Sequence, residues 1–496
     1  LWATPARGLR PVRPGDLTTA AEPILHRLGV VASSPMLWAG GFLIGYLMLS
    51  WVLSTKGGAS KRQRVLTGVG VGILALAARS ANFANYPRLG GDELHNTWAG
   101  WNLIHEGSPK SWSRLPVYTD KTEVRYFSRS FPIVPKAFDH PPLLQLLAGG
   151  MSTLLGARNM FHCVPRRMRP LMVLTGTLGV LLLFLVAERL FDFPTAFLAA
   201  VLMAASPLVV FNGRLVKEEG LVQLFWLAAT YVYLKLPELR RTVRWDYLCG
   251  AVLGLAALSK VHGGALGLAF AAVAVADGGG SLKRAARILV PAMAIAALYP
   301  LYGLLLDAPT YLKVLGWLSQ RYPLMADALS DKFLIFPRFI LEPKVGAGTL
   351  LIDGWILLGW LSLPHLFQMR PVAVPFIAYL LILVATVHSQ NLYGFYTIPV
   401  LPFLCMAAGR QVRQAMTSPS LLSVFLFIAL FFLPGSGRFA GEVPFGFRGL
   451  LVLACLPLAM MLFGRGRSWQ IATGGMLKTM LILSVLAAVE RCLTTL

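Results

Sequence analysis

Gly90-Gly91-Asp92-Glu93 opens a polar stretch that closes with Phe138-Asp139-His140-Pro141-Pro142, and segments too apolar for water lie on both sides of it. The chain has 496 residues, of which 56% are hydrophobic and 14% charged. A soluble domain of this length needs more charge to cover its surface, so the composition predicts an all-α polytopic membrane protein. The reactions that the polar stretch can carry out depend on the side of the membrane on which it lies.

The composition also limits the classes of molecule that the chain is expected to bind. Its formal net charge is +23, which in a membrane protein reflects basic cytoplasmic loops and attraction to anionic lipid headgroups. Nucleic acid is a poorer partner, because the basic residues are scattered among apolar segments. The five cysteines lie far apart without a CxxC, so neither disulfides nor a thiolate metal site is indicated. The chain begins at Leu1, so we expect residues upstream of it, and we identify no signal peptide.

The distribution of basic residues predicts the topology. A first apolar span at 35–54 is followed by a basic turn that contains Lys61, Arg62 and Arg64, which belongs in the cytoplasm. The next span, 65–84, then places the polar stretch on the extracytoplasmic side. The apolar run Leu143–Leu155 contains Gly149-Gly150 and is shorter than the roughly 20 residues a span needs. We therefore predict that it is a re-entrant or interfacial helix, which keeps the later basic loops at 240–244 and 283–287 inside.

This topology divides the chain into four parts and about 14 transmembrane helices. The parts are an N-terminal tail at 1–34, an extra helix with its basic turn at 35–64, a core at 65–410, and C-terminal helices at 411–496. The core carries two long extracytoplasmic loops, 85–170 and 307–348, and we expect juxtamembrane helices in the first of them.

Asp92 and Glu93 are the first candidates for catalysis. A carboxylate held at the membrane surface can act as a general base. The alternative is an N-cap, because the residues from Glu93 to Glu106 have helical spacing and end at Gly107. One residue can do both.

Charged and aromatic residues elsewhere on the same predicted face are candidates for substrate binding. Arg214, Lys217 and Glu218 form a charged island between two spans, and Lys260 and His262 lie where two apolar runs meet. Each group is either a solvated turn or a site for a lipid phosphate. The remaining candidates are His140, Arg166, Arg169, Tyr393 and Tyr396.

The histidines of the first loop do not predict a metal site. His95, His105, His140 and His162 have neither HxxxH nor HExxH spacing. A divalent metal is therefore possible for this loop but not indicated, and no cofactor is predicted.

Five short motifs, ordered along residues 65–410, carry a family resemblance. They are Gly-Asp92-Glu93, Asp139-His140-Pro141-Pro142-Leu143, Arg214…Glu218, Leu-Ser259-Lys260 after Gly250-Ala-Val-Leu-Gly254, and Tyr393…Tyr396-Thr-Ile-Pro399-Val-Leu-Pro402. Together they resemble the protein O-mannosyltransferase-like branch of the GT-C superfamily of glycosyltransferases, the type of families 39 and 83.

The resemblance implies an integral membrane enzyme that takes a sugar from a polyprenyl-phosphate carrier. It transfers the sugar, with inversion, to a glycan, lipid or protein acceptor on the extracytoplasmic side. Asp92 would be the general base and Glu93 its neighbour in the motif. Lys260, Arg214 and the cluster Arg166–Arg169 would stabilise the departing phosphate.

The chain also departs from the family pattern. Leu144-Gln145 replaces the Gly-Lys or Ala-Lys that often follows this His-Pro-Pro-Leu in eukaryotic members, and no large soluble domain follows the core. A bacterial member in the inner membrane fits better, with its active site facing the periplasm or exterior.

Two other classes of protein compete with this interpretation. A transporter would show ionisable residues within its spans and internal symmetry, whereas here the charges gather in outer loops. A noncatalytic membrane subunit that retains a glycosyltransferase scaffold would not need Asp92, although fold and motif alone do not guarantee activity.

Overall fold

The computed structural model describes residues 35–54, 59–126, 128–235, 243–277, 281–321, 329–346, 348–387, 393–431, 455–462 and 466–495. The predicted tail at 1–34, Arg240 and Arg241 of the basic loop, and most of the predicted span at 448–464 lie outside the described residues.

The described chain is mostly helical. Its first half contains α1 (Pro35–Leu53), α2 (Lys61–Ser80), α3 (Gly91–Glu106), α4 (Pro142–Leu154), α5 (Pro165–Met168), α6 (Pro170–Leu190), α7 (Phe193–Ala205), α8 (Pro207–Asn212) and α9 (Glu218–Lys235). Its second half contains α10 (Val243–Ser259), α11 (Gly264–Asp277), α12 (Leu282–Ala296), α13 (Leu298–Arg321), α14 (Leu329–Leu341), α15 (Gly354–Leu361), α16 (Pro364–Phe367), α17 (Arg370–Thr386), α18 (Leu401–Thr417), α19 (Leu421–Phe431) and α20 (Arg467–Thr494). Short 3-10 helices cover Met160–His162, Val261–Gly263 and Gly394–Val400.

Apolar helices in the described residues fit an integral membrane protein. Three are long and apolar enough to cross a membrane: Pro170–Leu190, Leu282–Gln320 and Ser468–Thr494. Shorter apolar helices cover Leu43–Leu53, Phe193–Ala205, Val261–Asp277, Arg370–Thr386 and Leu421–Leu430. The total of about 14 spans stays a prediction.

Helix α7 lies at the centre of the bundle. It is buried almost all round, and small residues such as Ala199, Ala200 and Ala204 let α6 and α18 pack closely against it. Sequence predicted one apolar segment at 193–211, but the structure divides it after Ala205. Ser206 caps α8 by accepting a hydrogen bond from the Val209 N–H, and Pro207, which has no N–H to donate, starts the new helix.

The predicted loop at 307–348 is largely helical where it is described. Asp307 interrupts α13 with an extended backbone, and its carboxylate accepts a hydrogen bond of 3.1 Å from the Thr310 N–H. This is N-cap geometry, so the chain restarts its helix at this point.

The predicted loop at 85–170 contains a small antiparallel sheet that the all-α prediction did not include. Strands β1 (Ser111–Trp112), β2 (Thr122–Tyr126) and β3 (Arg129–Val134) are arranged in the order β1-β3-β2, with Glu123 opposite Pro132. Phe131 and Ile133 alternate along β3 and are buried in one cluster with Trp98 of α3. The sheet therefore packs its apolar face on the helix that follows Gly90.

Helices α3 and α4 pack backbone against backbone. A Cβ atom added at Gly100 would lie 1.6 Å from the Gln145 carbonyl oxygen, and one added at Gly149 would lie 2.3 Å from the Gly100 carbonyl carbon. The predicted short helix at 143–155 is thus observed as Pro142–Leu154, seated on α3. Its depth in the membrane stays a prediction.

Candidate active site

Glu93 joins three segments of the chain from the first turn of α3. Its carboxylate accepts hydrogen bonds from the Gly90 N–H at 2.9 Å, the Val216 N–H at 3.0 Å, and Arg169 Nε and Nη2 at 2.9 and 2.8 Å. The Glu93 and Arg169 side chains are 1% and 0% exposed. This buried, two-bond ion pair holds the start of α3 to α6 and to the segment before α9. The N-cap residue is Gly90, and Glu93, three residues later, accepts its N–H, so the capping that the sequence left open is carried out by the Glu93 side chain and not by Asp92.

Asp92 faces the other way. Its side chain is 48% exposed and forms an ion pair with Lys217, which is itself 8% exposed. The Lys217 ammonium holds the pKa of Asp92 well below its usual range. Although burial by itself lowers the pKa of Lys217, the carboxylates of Asp92, Glu218 and Glu219 raise it, so the pair stays ionised. Asp92 is thus an accessible carboxylate at the mouth of the site.

Two ammonium groups lie beside one aromatic cluster. Lys217 Nζ is 3.8 Å from the centroid of the Phe395 ring, and Lys260 Nζ is 5.9 Å from that ring and 4.7 Å from Tyr396. Lys260 forms an ion pair with Glu219, whose side chain is fully buried. The rings of Phe395 and Tyr396 contact each other at 4.9 Å. The structure therefore places the charged island after α8 and the Tyr393–Tyr396 run at one place.

His140 and Glu218 connect this cluster to the end of the first loop. His140 Nδ1 is 3.4 Å from Glu218 Oε1, and the same oxygen accepts a hydrogen bond of 2.8 Å from Asn96. The ring of His95 lies edge-on to that of His140 at 5.2 Å. Burial lowers the pKa of His140 below its usual value, although the charge of Glu218 acts in the opposite direction.

Asp139 fixes the position of His140 in the chain. Its carboxylate accepts hydrogen bonds from Tyr118 at 2.6 Å and Ser113 at 2.7 Å, and the Tyr118 hydroxyl accepts one from the Phe138 N–H. Burial, aided by the Asp139 charge, raises the pKa of Tyr118. These hydrogen bonds therefore hold the segment before Pro141 against the middle of the loop.

Two of the predicted phosphate-binding arginines point into the protein. The Arg214 guanidinium is buried and donates to the carbonyl oxygens of Ala78, Arg79 and Cys492 at 2.7 to 3.2 Å. Arg169 is occupied by Glu93 and by the Phe83 carbonyl oxygen at 2.7 Å. Both arginines hold segments of the protein together.

The other predicted residues lie around the edge of the candidate site. Arg166 lies on α5 and is partly buried. His262 Nε2 is 2.8 Å from Thr386 Oγ1, which ties the 3-10 helix after Lys260 to the end of α17. Tyr393 stacks on Phe395 at 5.2 Å. Among the described residues, no group of three or more His, Cys, Asp or Glu side chains is arranged to hold a metal ion.

Several residues of the site were not among the predicted ones. Asn96, Glu219 and Phe395 each contact a predicted residue directly. The helical period offered a signal for Asn96, because it lies one turn after Asp92 and on the same face of α3. Glu219 and Phe395 lie in the charged island and in the aromatic run that the sequence indicated, but their contacts with Lys260 and Lys217 had no signal, since only folding brings α9 to the run at 393–396.

Comparison with known proteins agrees with this architecture. A model of the family described as dolichyl-phosphate-mannose-protein mannosyltransferase matches residues 139–303. ArnT from Cupriavidus metallidurans, solved bound to undecaprenyl phosphate, is similar in structure with a TM-score of 0.54 and 17% identity, over 88% of this chain and 78% of ArnT. AglB from Archaeoglobus fulgidus, solved with an inhibitory peptide and a dolichol-phosphate, has a TM-score of 0.45 and 14% identity. This chain spans 56% of AglB, and AglB covers 84% of this chain. No curated protein sequence matches the chain.

The apolar helices and the fold, which is similar to that of ArnT, define the class: an integral membrane protein that resembles the GT-C membrane enzymes. Within that class the match at 139–303 covers Asp139-His140-Pro141-Pro142, the charged island and Lys260. The resemblance to GT-C mannosyltransferase-like proteins that the motifs predicted is thereby confirmed.

Proposed function

We propose that the protein transfers a sugar from a polyprenyl-phosphate carrier to an acceptor on the extracytoplasmic face of the membrane, with inversion. The main supporting observation is that the accessible, ionised carboxylate of Asp92 pairs with Lys217, and that Lys217 and Lys260 both lie beside the ring of Phe395. A carboxylate can take the proton of an acceptor hydroxyl, while ammonium groups stabilise the charge that develops on a departing phosphate. The family match and the undecaprenyl phosphate bound to ArnT support a lipid phosphate as the carrier.

The residues divide into two roles in this proposal. Asp92 is the general base, whereas Glu93, which accepts four hydrogen bonds inside the protein, holds α3 in position. Lys217 and Lys260 bind the carrier phosphate in place of Arg169 and Arg214, whose donors are used elsewhere. Because Lys217 is paired with Asp92 before substrate arrives, a phosphate that attracts Lys217 would also release the base.

An apolar groove offers surface for the carrier tail. It has a volume of about 660 Å³ and is lined by apolar side chains that include Phe336, Trp360, Phe376 and Leu381. Helix α17 runs from this groove to Thr386, which contacts His262 close to Lys260. A polyprenyl chain in the groove would therefore lead its phosphate toward the two lysines.

The test is sugar transfer by the purified full-length protein, assayed with a panel of polyprenyl-phosphate sugars and hydroxyl acceptors. The wild type is expected to release polyprenyl phosphate and form a glycosylated product. Asp92→Asn is expected to lose turnover by a factor of about 100 or more, yet to keep its unfolding transition, since Asp92 is half exposed. Turnover retained in Asp92→Asn would refute the assignment of the base, and no transfer by the wild type from any donor would refute the function.

A further inference from the structure

Asn212, the last residue of α8, holds a β-hairpin at two points. The hairpin strands are β4 (Lys344–Val345) and β5 (Thr349–Leu350), which pair antiparallel. Asn212 donates from Nδ2 to the Lys344 carbonyl oxygen at 2.9 Å, and its Oδ1 atom accepts a hydrogen bond of 2.9 Å from the Gly346 N–H. Asn212 is buried, so both bonds form away from water and fix the hairpin to the segment that leads into the charged island.

The same hairpin carries the start of the aromatic run at 393–396. The Gly394 N–H donates to the Gly346 carbonyl oxygen at 3.0 Å. A Cβ atom added at Gly394 would lie 1.7 Å from the Lys344 carbonyl oxygen, so glycine is needed for the two backbones to meet. The start of the run is therefore placed by the hairpin and, through the hairpin, by Asn212.

Phe395 follows Gly394 directly, and its ring contacts Lys217. The Lys217 Nζ atom is 3.8 Å from the centroid of this ring, and the same ammonium pairs with Asp92. Lys217 is thus held between a carboxylate and an aromatic face. The ring attracts the ammonium without neutralising its charge, so the position of Phe395 affects how well Lys217 can bind a further anion.

We propose that Asn212 is a positioning residue for carrier binding: through the hairpin it holds the Phe395 ring against Lys217, and so places the Lys217 ammonium for the carrier phosphate. The inference rests on the proposed function, in which Lys217 binds that phosphate. The far end of the run is held separately, because Gln223 of α9 donates to the Ile398 carbonyl oxygen at 2.7 Å. Loss of the Asn212 contacts should therefore shift the start of the run, where Phe395 lies, more than its end.

The experiment measures the affinity of the full chain in lipid for polyprenyl phosphate and for polyprenol, which lacks the phosphate. Phe395→Leu and Asn212→Ala are each expected to weaken the binding of polyprenyl phosphate about fivefold and to leave the affinity for polyprenol unchanged. Phe395→Tyr keeps the aromatic face and is expected to bind like the wild type. Because Asn212 acts through Phe395, the double variant should lose about fivefold, whereas independent effects would multiply to about 25-fold.

Asn102→Ala is the matched control, since Asn102 is also buried and donates to the Lys110 carbonyl oxygen at 2.7 Å in the predicted loop at 85–170. It is expected to lower the unfolding temperature and to leave both affinities unchanged. If Asn212→Ala does not fold, Asn212→Ser takes its place with the same expected loss. Unchanged phosphate affinity in the Asn212 variant, or a 25-fold loss in the double variant, would overturn the proposal. An equal loss in Asn102→Ala would also overturn it, by showing that the effect follows from destabilisation.

Binding and turnover together separate this inference from the proposed function. A wild type that shows the expected pattern of affinities but transfers no sugar would refute the proposed function alone. A wild type that transfers sugar, with a donor KM that the Asn212 variant leaves unchanged, would refute the positioning role alone.

Discussion

Glu93→Gln tests whether the two adjacent carboxylates have different roles. The substitution keeps the shape of the side chain but replaces one oxygen by an NH₂ group and removes the charge. Whichever oxygen is replaced, the new NH₂ faces two of the four present donors: Arg169 Nη2 with the Gly90 N–H, or Arg169 Nε with the Val216 N–H. The Arg169 guanidinium, 0% exposed, is then left without a counter-charge.

The expected cost is large because both groups are out of water. Breaking a buried ion pair by removing one partner costs about 3–5 kcal/mol, since the remaining charge stays desolvated. We expect the free energy of unfolding, measured by denaturant titration in lipid–detergent micelles, to fall by this amount. Turnover per folded molecule should fall less than in Asp92→Asn, because Asp92 and Lys217 remain.

Glu106→Gln is the control, since Glu106 ends the same helix in an exposed position. It is expected to change the unfolding free energy by less than about 0.5 kcal/mol. If Glu93→Gln abolishes sugar transfer but destabilises the protein by less than about 1 kcal/mol, Glu93 takes part in the chemistry and the division of roles is wrong.

Three further predictions concern the carrier site, the helix contact and the topology. Lys260→Gln should weaken the binding of the carrier phosphate about tenfold or more, measured by titration with polyprenyl phosphate. Arg214→Gln should lower the unfolding temperature and leave the affinity for polyprenyl phosphate unchanged. Equal losses of affinity in the two variants would contradict the assignment. Gly149→Ala should separate α3 from α4, since its Cβ would lie 2.3 Å from the Gly100 carbonyl carbon, and should destabilise the protein by about 1–3 kcal/mol or more in the same unfolding assay. Leu154 is 83% exposed, and a cysteine in its place should react with a membrane-impermeant thiol reagent added outside intact cells. The signal is compared with that of the unsubstituted protein, in which Cys455 is exposed. Labelling from the cytoplasm alone would overturn the predicted topology.

Much of the site was predictable because it lies in short motifs. Asp92 is in the first turn of a helix marked by Gly90-Gly91 and Gly107, and its sequence neighbourhood predicted both an N-cap and a base. Lys217 and Glu218 were predicted as one charged island. The choice between the roles of Asp92 and Glu93 was not available from sequence, because adjacent helical positions point about 100° apart and only the packing partners show which direction is inward.

The roles of Arg169 and Arg214, in contrast, were not predictable from the sequence. Arg169 and Arg214 carry the charge that a phosphate needs, and their positions in outer segments favoured that role. In the structure they bind carbonyl oxygens and Glu93 instead. A guanidinium has five donors and serves a phosphate or a buried backbone equally well, so residue type alone does not separate these uses.

Composition and hydropathy determined by themselves that this is a helical membrane protein, and motif order determined its resemblance to the GT-C glycosyltransferases, because these properties depend on local sequence and on the cost of placing polar groups in lipid. The tertiary structure alone decided which charges meet. Lys217 reaches Asp92 across 125 positions of sequence and His140 reaches Glu218 across 78, and no local pattern encodes contacts between such distant segments. The physical reason is packing: α3, α4 and α9 bury their apolar faces together, and their polar groups must then find partners where those faces end.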